Sequence, residues 1–133
     1  MFETMTHVML FVRDYDEALD FYSKTLDFEK VTDVSPMPGF RFLTVAPQGK
    51  GTEVVLHMPS VKLHGEAEAK RMSDQIGKAS PLMFKVDDCR KSCEELRAKG
   101  VKITKEPGPA PFGIQASIMD LYGNTIWLIE HPK

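Results

Sequence analysis

An apolar run that ends in Val-x-Asp and gives way to a helical pattern occurs twice in this chain. It reads THVMLFVRDYDE from Thr6 to Glu17 and SPLMFKVDDCRK from Ser80 to Lys91. The offset that sets His7 against Pro81 also sets Val12 against Val86 and Asp14 against Asp88. A repeat of this kind restricts the fold to two copies of one supersecondary unit, each opening with a strand that hands over to a helix. In the first copy His7, Met9 and Phe11 alternate with Val8, Leu10 and Val12, so both faces are apolar and the strand is expected to be covered on both sides. Asp14, with Glu17 three residues on, has the spacing of a capping box and starts the helix.

The remaining elements follow from period and punctuation. Ala18, Leu19, Tyr22 and Leu26 give the 16–26 segment the stripe of a half-buried helix. Strands are expected over 28–34, 40–46 and 52–58, separated by a loop, SPMPG, at 35–39 and a tight turn, PQGKG, at 47–51. The polar stretch 58–79 reads as a connection with a short solvated helix over 66–75. The second copy then gives a strand at 82–86, a helix at 88–99 closed by Gly100, a strand at 101–105, a loop, EPGPAPFG, at 106–113, and a hairpin of 114–119 with 125–130.

Each half is therefore βαβββ, with residues 1–57 and 80–131 as modules and 58–79 between them, within one α+β domain of 133 residues. A curved eight-stranded mixed sheet is expected, with helices outside. A sheet covered by a helix on one face only leaves the other bare, so a cleft between the two bare faces is the expected site.

Composition excludes more than it selects. A net charge of −2, with lysines and arginines that form no stripe, gives no electrostatic reason to bind nucleic acid or an acidic membrane. No apolar run approaches spanning length and none follows a basic leader, which suggests a cytoplasmic protein. Cys89 and Cys93 stand one turn apart on a helix and read as packing residues. A thiol metal or redox site would need further partners that the neighbouring sequence lacks.

The pattern HVxLxVxD, followed by ALDFYxxxLxFE and closed by DxxGNxIxLIE, resembles the vicinal-oxygen-chelate superfamily of glyoxalases, bleomycin-resistance proteins and extradiol dioxygenases. The resemblance covers nearly the whole chain outside the connection. In metal-using members it implies four ligands, one at the start of the first strand and one on the last strand of each half. Carried across, these positions hold His7, Pro81, Trp127 and, in the first half's last strand, either Val55 or His57. His57 is preferred because similar members place a carboxylate just before a proline-containing turn. Glu130, three residues beyond Trp127, points to the opposite face.

Two imidazoles, His7 and His57, form an incomplete metal set, to which Glu53 or His64 could add. The cofactor expectation is thus none or a divalent metal ion. His7 and His57 taken alone also suit buried strand histidines hydrogen-bonded to backbone. Trp127 could stack a planar ligand, with Phe40, Phe42, Phe112 and Tyr122 adding to the wall. Met37 and Met119 read as packing, Arg41 as a possible partner for an anionic ligand or a plain exposed strand arginine, and His64 and His131 as solvated.

The first functional expectation is a metal-poor protein that binds a small molecule, of the bleomycin-resistance kind, and forms a homodimer. The second is a glyoxalase I-like lyase or isomerase, with His7 and His57 as ligands and Glu53 as the catalytic base. The third is a ring-cleaving dioxygenase using His7, His57 and Glu53.

Overall fold

The computed structural model describes all residues from Met1 to Lys133, and they group into two compact units, Met1–Gly77 and Lys78–Lys133. The connection therefore folds with the first module. That unit contains β1 (His7–Phe11), α1 (Tyr15–Asp20), β2 (Phe28–Met37), β3 (Phe40–Pro47), β4 (Glu53–His57), α2 (Val61–His64) and α3 (Glu66–Asp74). The second contains β5 (Leu82–Lys85), α4 (Cys89–Ala98), β6 (Ile103–Ala110), β7 (Gly113–Met119) and β8 (Thr125–Glu130).

The eight strands form two four-stranded mixed sheets with one topology, β1-β4-β3-β2 and β5-β8-β7-β6. In each, the first strand lies parallel to the last and the other pairs are antiparallel. The repeat extends to the caps. The carboxylate of Asp14 accepts the Glu17 N–H at 2.8 Å, and that of Asp88 accepts the Lys91 N–H at 3.0 Å. Each satisfies a donor that the first helical turn leaves open.

Parity decides burial. In the first unit Leu10, Leu43, Val45, Val54 and Leu56 lie on the helix-covered face with Ala18 and Tyr22, and all are buried. In the second, Ala116, Ile118, Ile126 and Leu128 pack with Cys89 and Cys93 of α4. Both thiols are free, and burial pushes both upward, Cys93 to about 11, so they behave as the small apolar residues expected. Glu130 points to this same side and accepts the Cys89 N–H at 2.8 Å, tying the start of α4 to the end of β8.

Three expectations change. The first helix is α-helical only over Tyr15–Asp20 and continues through Phe21–Thr25 as a π-helical turn, closed by the Leu26 N–H on the Phe21 carbonyl at 3.0 Å. Here the Ser23 hydroxyl donates to the Leu19 carbonyl at 2.6 Å, back-bonding of the kind that loosens a helical ladder. The expected loops 35–39 and 106–113 are instead mostly strand, with β2 running to Met37 and β6 to Ala110. Both are outer strands of their sheets, where a proline costs no ladder bond on the open side. Register shifts between Val34 and Met37 and between Lys105 and Gly108 absorb the irregular residues.

Leu128 is 4% exposed and pairs with Ala116 beneath α4. Leu128→Ala is expected to destabilise the protein by about 2–5 kcal/mol. Urea denaturation should show a lower midpoint with an unchanged slope, and an unchanged midpoint would contradict the assigned face.

Candidate functional site

The face of the first sheet turned away from α1 is uncovered except where α2 brings His64 onto His57, and it is set by the register of β1, β3 and β4. His7 pairs with Glu53, Met9 with Val55 and Phe11 with His57, while Thr44 of β3 pairs with Val55. His7, Met9, Phe11, Phe40, Phe42, Thr44, Glu53, Val55 and His57 therefore share one parity. The face stays accessible at Met9, which is 51% exposed, and at Val34 of β2, which is 52% exposed and pairs with Phe42.

Its polar groups gather at two ends. At the first, His7 Nε2 lies 3.4 Å from Glu53 Oε1, and the Thr44 hydroxyl donates to that oxygen at 2.7 Å. Thr44 Oγ1 itself accepts the Thr32 N–H at 3.1 Å, which leaves its proton for Glu53. His7 Nδ1 is 2.9 Å from Thr6 Oγ1, so both its nitrogens have partners. At the other end, His57 Nε2 meets His64 Nε2 at 2.8 Å, with ring centroids 5.0 Å apart. Centroids that far apart at so short a nitrogen separation place the two rings almost end to end, the arrangement of one shared proton. Burial, and then His64, holds His57 below the ordinary imidazole range. Phe11 and Phe40 flank His57 edge-on at 6.4 and 6.2 Å, and Phe42 packs against His7 at 5.9 Å.

His64, expected to be solvated, reaches His57 because the chain turns at Pro59 and enters α2, where Ser60 Oγ accepts the Leu63 N–H at 3.4 Å. Seven residues of separation on a polar connection gave no signal of this contact. Thr44 was likewise invisible, because a strand threonine is common and its partner is fixed by pairing.

The structure divides the expected metal set. Glu53 and His57 are four residues apart on one strand, roughly 13 Å at the usual rise, and His7 sits opposite Glu53. His7 and His57 thus stand at opposite ends of the face and cannot share an ion, nor can His7, His57 and Glu53 form an iron triad. In the second unit Leu82 pairs with Ile126 and Met83 with Trp127, so the position matching Glu53 falls at Thr125. Neither Thr125, Trp127 nor Pro81 supplies an acidic or imidazole ligand, and no group of three or more His, Cys, Asp or Glu side chains is placed to hold a metal. The residues present do not fit the metal centre that the resemblance implies.

Two other expected site residues are elsewhere. Arg41 has the opposite parity to Phe40 and Phe42. Its guanidinium binds Asp33 through Nε and Nη2 at 2.8 and 2.9 Å and Asp16 through Nη1 at 2.8 Å, and it lies 5.5 Å over the Tyr15 ring. It is a structural clamp on α1, not an anion receptor. Phe112 sits in the turn before β7 and Tyr122 in the turn after it, at opposite ends of that strand, so they cannot build one wall. Trp127 does lie on the uncovered face of its sheet, beside Ser117 and Met83, with the Lys105 ammonium 5.6 Å over its ring.

The first unit also holds a cavity of about 350 Å³, lined by Val12, Arg13, Met58, Pro59, Ser73 and Ile76, between the strand ends and α3.

With this architecture described, comparison with known proteins is decisive for the family. The profile of the Glyoxalase/Bleomycin resistance protein/Dioxygenase superfamily matches residues 4–128. The chain belongs to this superfamily. YurT, an uncharacterised protein of Bacillus subtilis, is 36% identical over 123 residues, covering 91% of this chain and 94% of YurT. The lactoylglutathione lyase of Escherichia coli O157:H7 is 28% identical over 128 residues, covering 95% and 91%. The crystal structure of TnmS3, an antibiotic binding protein from Streptomyces sp. CB03234, is 28% identical and superposes with a TM-score of 0.80, covering 98% of each chain.

The Arg41 guanidinium holds the Asp33 carboxyl at about 2, well below the usual 3.8. A depressed carboxylate stabilises the fold fully above about pH 4 and loses that contribution as pH falls towards about 2. Asp33→Asn should therefore be less stable than wild type at neutral pH, with the gap closing across that acid window. Denaturation series at several pH values measure it, and a gap independent of pH would exclude the ion pair as its source.

Proposed function

We propose that this superfamily member binds a planar aromatic small molecule without a catalytic metal, in the manner of antibiotic-binding and bleomycin-resistance proteins. The observation that carries this reading is the fate of the four ligand positions. His7 keeps a carboxylate neighbour in Glu53, His57 is turned to His64, and the second module offers proline, threonine and tryptophan. What remains in the first unit is a face suited to stacking, with Phe11, Phe40, Phe42 and Met9, and the second unit separately presents Trp127 on its own sheet. The similarity to TnmS3, an antibiotic binding protein, supports the same reading.

A homodimer belongs to this proposal. Met9 and Met83, at matching positions of the outer strands β1 and β5, are 51% and 60% exposed, and exposed apolar side chains on outer strands favour association. Sedimentation equilibrium tests it. No helix is long and apolar enough to cross a membrane. The buried free thiols suit a reducing compartment, which supports a cytoplasmic location.

The second reading, a lyase or isomerase resembling lactoylglutathione lyase, draws on the His7–Glu53 pair and on the identity to the E. coli enzyme. Elemental analysis of protein purified without chelator separates the two. Substoichiometric zinc, nickel, manganese or iron is expected, since isolated pairs of ligands bind such ions weakly. One ion per chain, lost in His7→Ala, would promote the lyase.

Trp127 is the only tryptophan in the chain, so its fluorescence should report a ligand that stacks on its face. A thermal-shift screen of planar aromatic compounds, glycopeptides and glutathione conjugates supplies the hits. Trp127→Ala is expected to weaken binding by about 1–3 kcal/mol, roughly ten- to a hundredfold. Leu128→Ala should lower stability while leaving affinity per folded molecule nearly unchanged. The reverse outcome would remove the aromatic wall from the proposal.

A further inference from the structure

The uncovered face of the first sheet is polarised along its strands. Row by row from the β3–β4 turn, His7, Glu53 and Ala46 come first, and Glu29 of β2 pairs with Ala46. Glu29 and Glu53 therefore share the face and the end. The Glu29 carboxylate lies over the turn, its Oε2 2.8 Å from where a Cβ on Gly49 would stand. The strand residues of opposite charge fall on the other parity. Lys30 pairs with Val45 and binds Asp33 at 3.2 Å, and Arg41 binds Asp33 and Asp16. No lysine or arginine of β1–β4 reaches the uncovered side.

Between this acidic end and the His57–His64 end lie Met9, Phe11, Val34, Phe40, Phe42 and Val55 with two threonines, Thr32 and Thr44, and the Thr44 hydroxyl is already given to Glu53. Oε1 of Glu53 takes the Thr44 proton and the approach of His7. Thr44 cannot turn away without abandoning the Thr32 N–H, so the carboxylate is held in one orientation. A ligand that lies along the apolar strip meets a carboxylate acceptor at one end, and the buried His57, turned to His64, closes the other, roughly 13 Å away along the strand.

We propose that this face selects flat, elongated aromatic cations, with a protonated amine or amidine of the ligand bound at Glu53 and the ring system over Phe42 and Met9. The inference rests on the small-molecule-binding reading and adds the charge of the ligand to it. Thr44 is a positioning residue for Glu53, and Glu29 adds to the negative potential at that end without needing to touch the ligand. An anionic aromatic of the same shape would bring its charge against two carboxylates, with no lysine or arginine of β1–β4 on the face to offset them.

The test titrates the full chain with three tricyclic probes of like size: 9-aminoacridine, a cation at neutral pH; acridone, which is neutral; and acridine-9-carboxylate, an anion. Ligand fluorescence and calorimetry provide the readouts. The cation is expected to bind about tenfold or more tighter than the anion, the scale of one charge-assisted hydrogen bond, with acridone between them. Glu53→Gln should bring the cation-to-anion ratio to within about threefold. Thr44→Val should lower the ratio and Thr44→Ser restore it, which a purely structural role for Thr44 would not produce. Circular dichroism confirms that each variant is folded. If acridone binds but the wild type shows no preference for the cation, or prefers the anion, the charge selection is wrong and the binding reading stands. If the preference survives Glu53→Gln, the assignment to Glu53 is wrong. If none of the three probes binds, the aromatic-binding reading itself falls, and this inference with it.

Discussion

The parallel pairing of β1 with β4 is the constraint on which the first module depends. It is closed at both ends by backbone bonds, the Glu53 N–H on the Thr6 carbonyl and the Val12 N–H on the His57 carbonyl, each 2.9 Å. Between them the in-register pairing sends Leu10, Val54 and Leu56 under the helices and His7, Met9, Glu53, Val55 and His57 to the uncovered side. A slip by one residue would exchange the two sets, burying Glu53 and His7 beneath α1 and exposing the leucines. The cost of burying an unpaired carboxylate is large enough that the functional face and the core are specified by one decision. The second module repeats it, with the Val86 N–H on the Ile129 carbonyl at 2.9 Å and Leu128 turned to α4.

What the repeat made legible was whatever depends on period. The βαβββ succession of each module, the two Asp N-caps, the packing role of Cys89 and Cys93 and the side taken by Glu130 follow from alternation and capping chemistry visible in the sequence, while the order of strands within each four-stranded sheet does not. The errors lie where pairing overrides composition. SPMPG and EPGPAPFG carry loop residues, yet they sit on outer strands, where prolines and bulges are tolerated, and sequence alone does not show which strand is outermost.

The site was legible by face but not by distance. Parity put Glu53 and His57 on one side, and the pairing of β1 with β4 adds His7 to it. Grouping them as one ligand set ignored that Glu53 and His57 lie four residues apart on a single strand, which no side chain can fold away. The contacts that decide chemistry here, Thr44 to Glu53 and His64 to His57, depend on the register of β3 against β4 and on the course of the connection, neither of which has a periodic signature. Arg41 shows the same limit from the other direction. Its neighbours Phe40 and Phe42 face the uncovered side, so alternation alone should have sent the guanidinium to Asp33 and Asp16.

The distribution of polar groups on the uncovered face bears on what kind of work it can do. A catalytic centre gathers its acid, base and electrophile within hydrogen-bond reach of one reacting atom. Here the titratable groups are drawn to the two ends of an apolar strip, and each is already engaged, Glu53 by Thr44 and His7, and His57 by His64. Such a layout supplies little that would be stronger in a transition state than in a ground state, which is what rate acceleration requires. It does supply an apolar middle that contributes affinity through burial and polar ends that fix orientation, the division of labour of a binding surface. The substitution of ligand positions by Pro81 and Trp127 in the second module points the same way. A proline and an indole offer no electron pair of the kind that a metal ion takes.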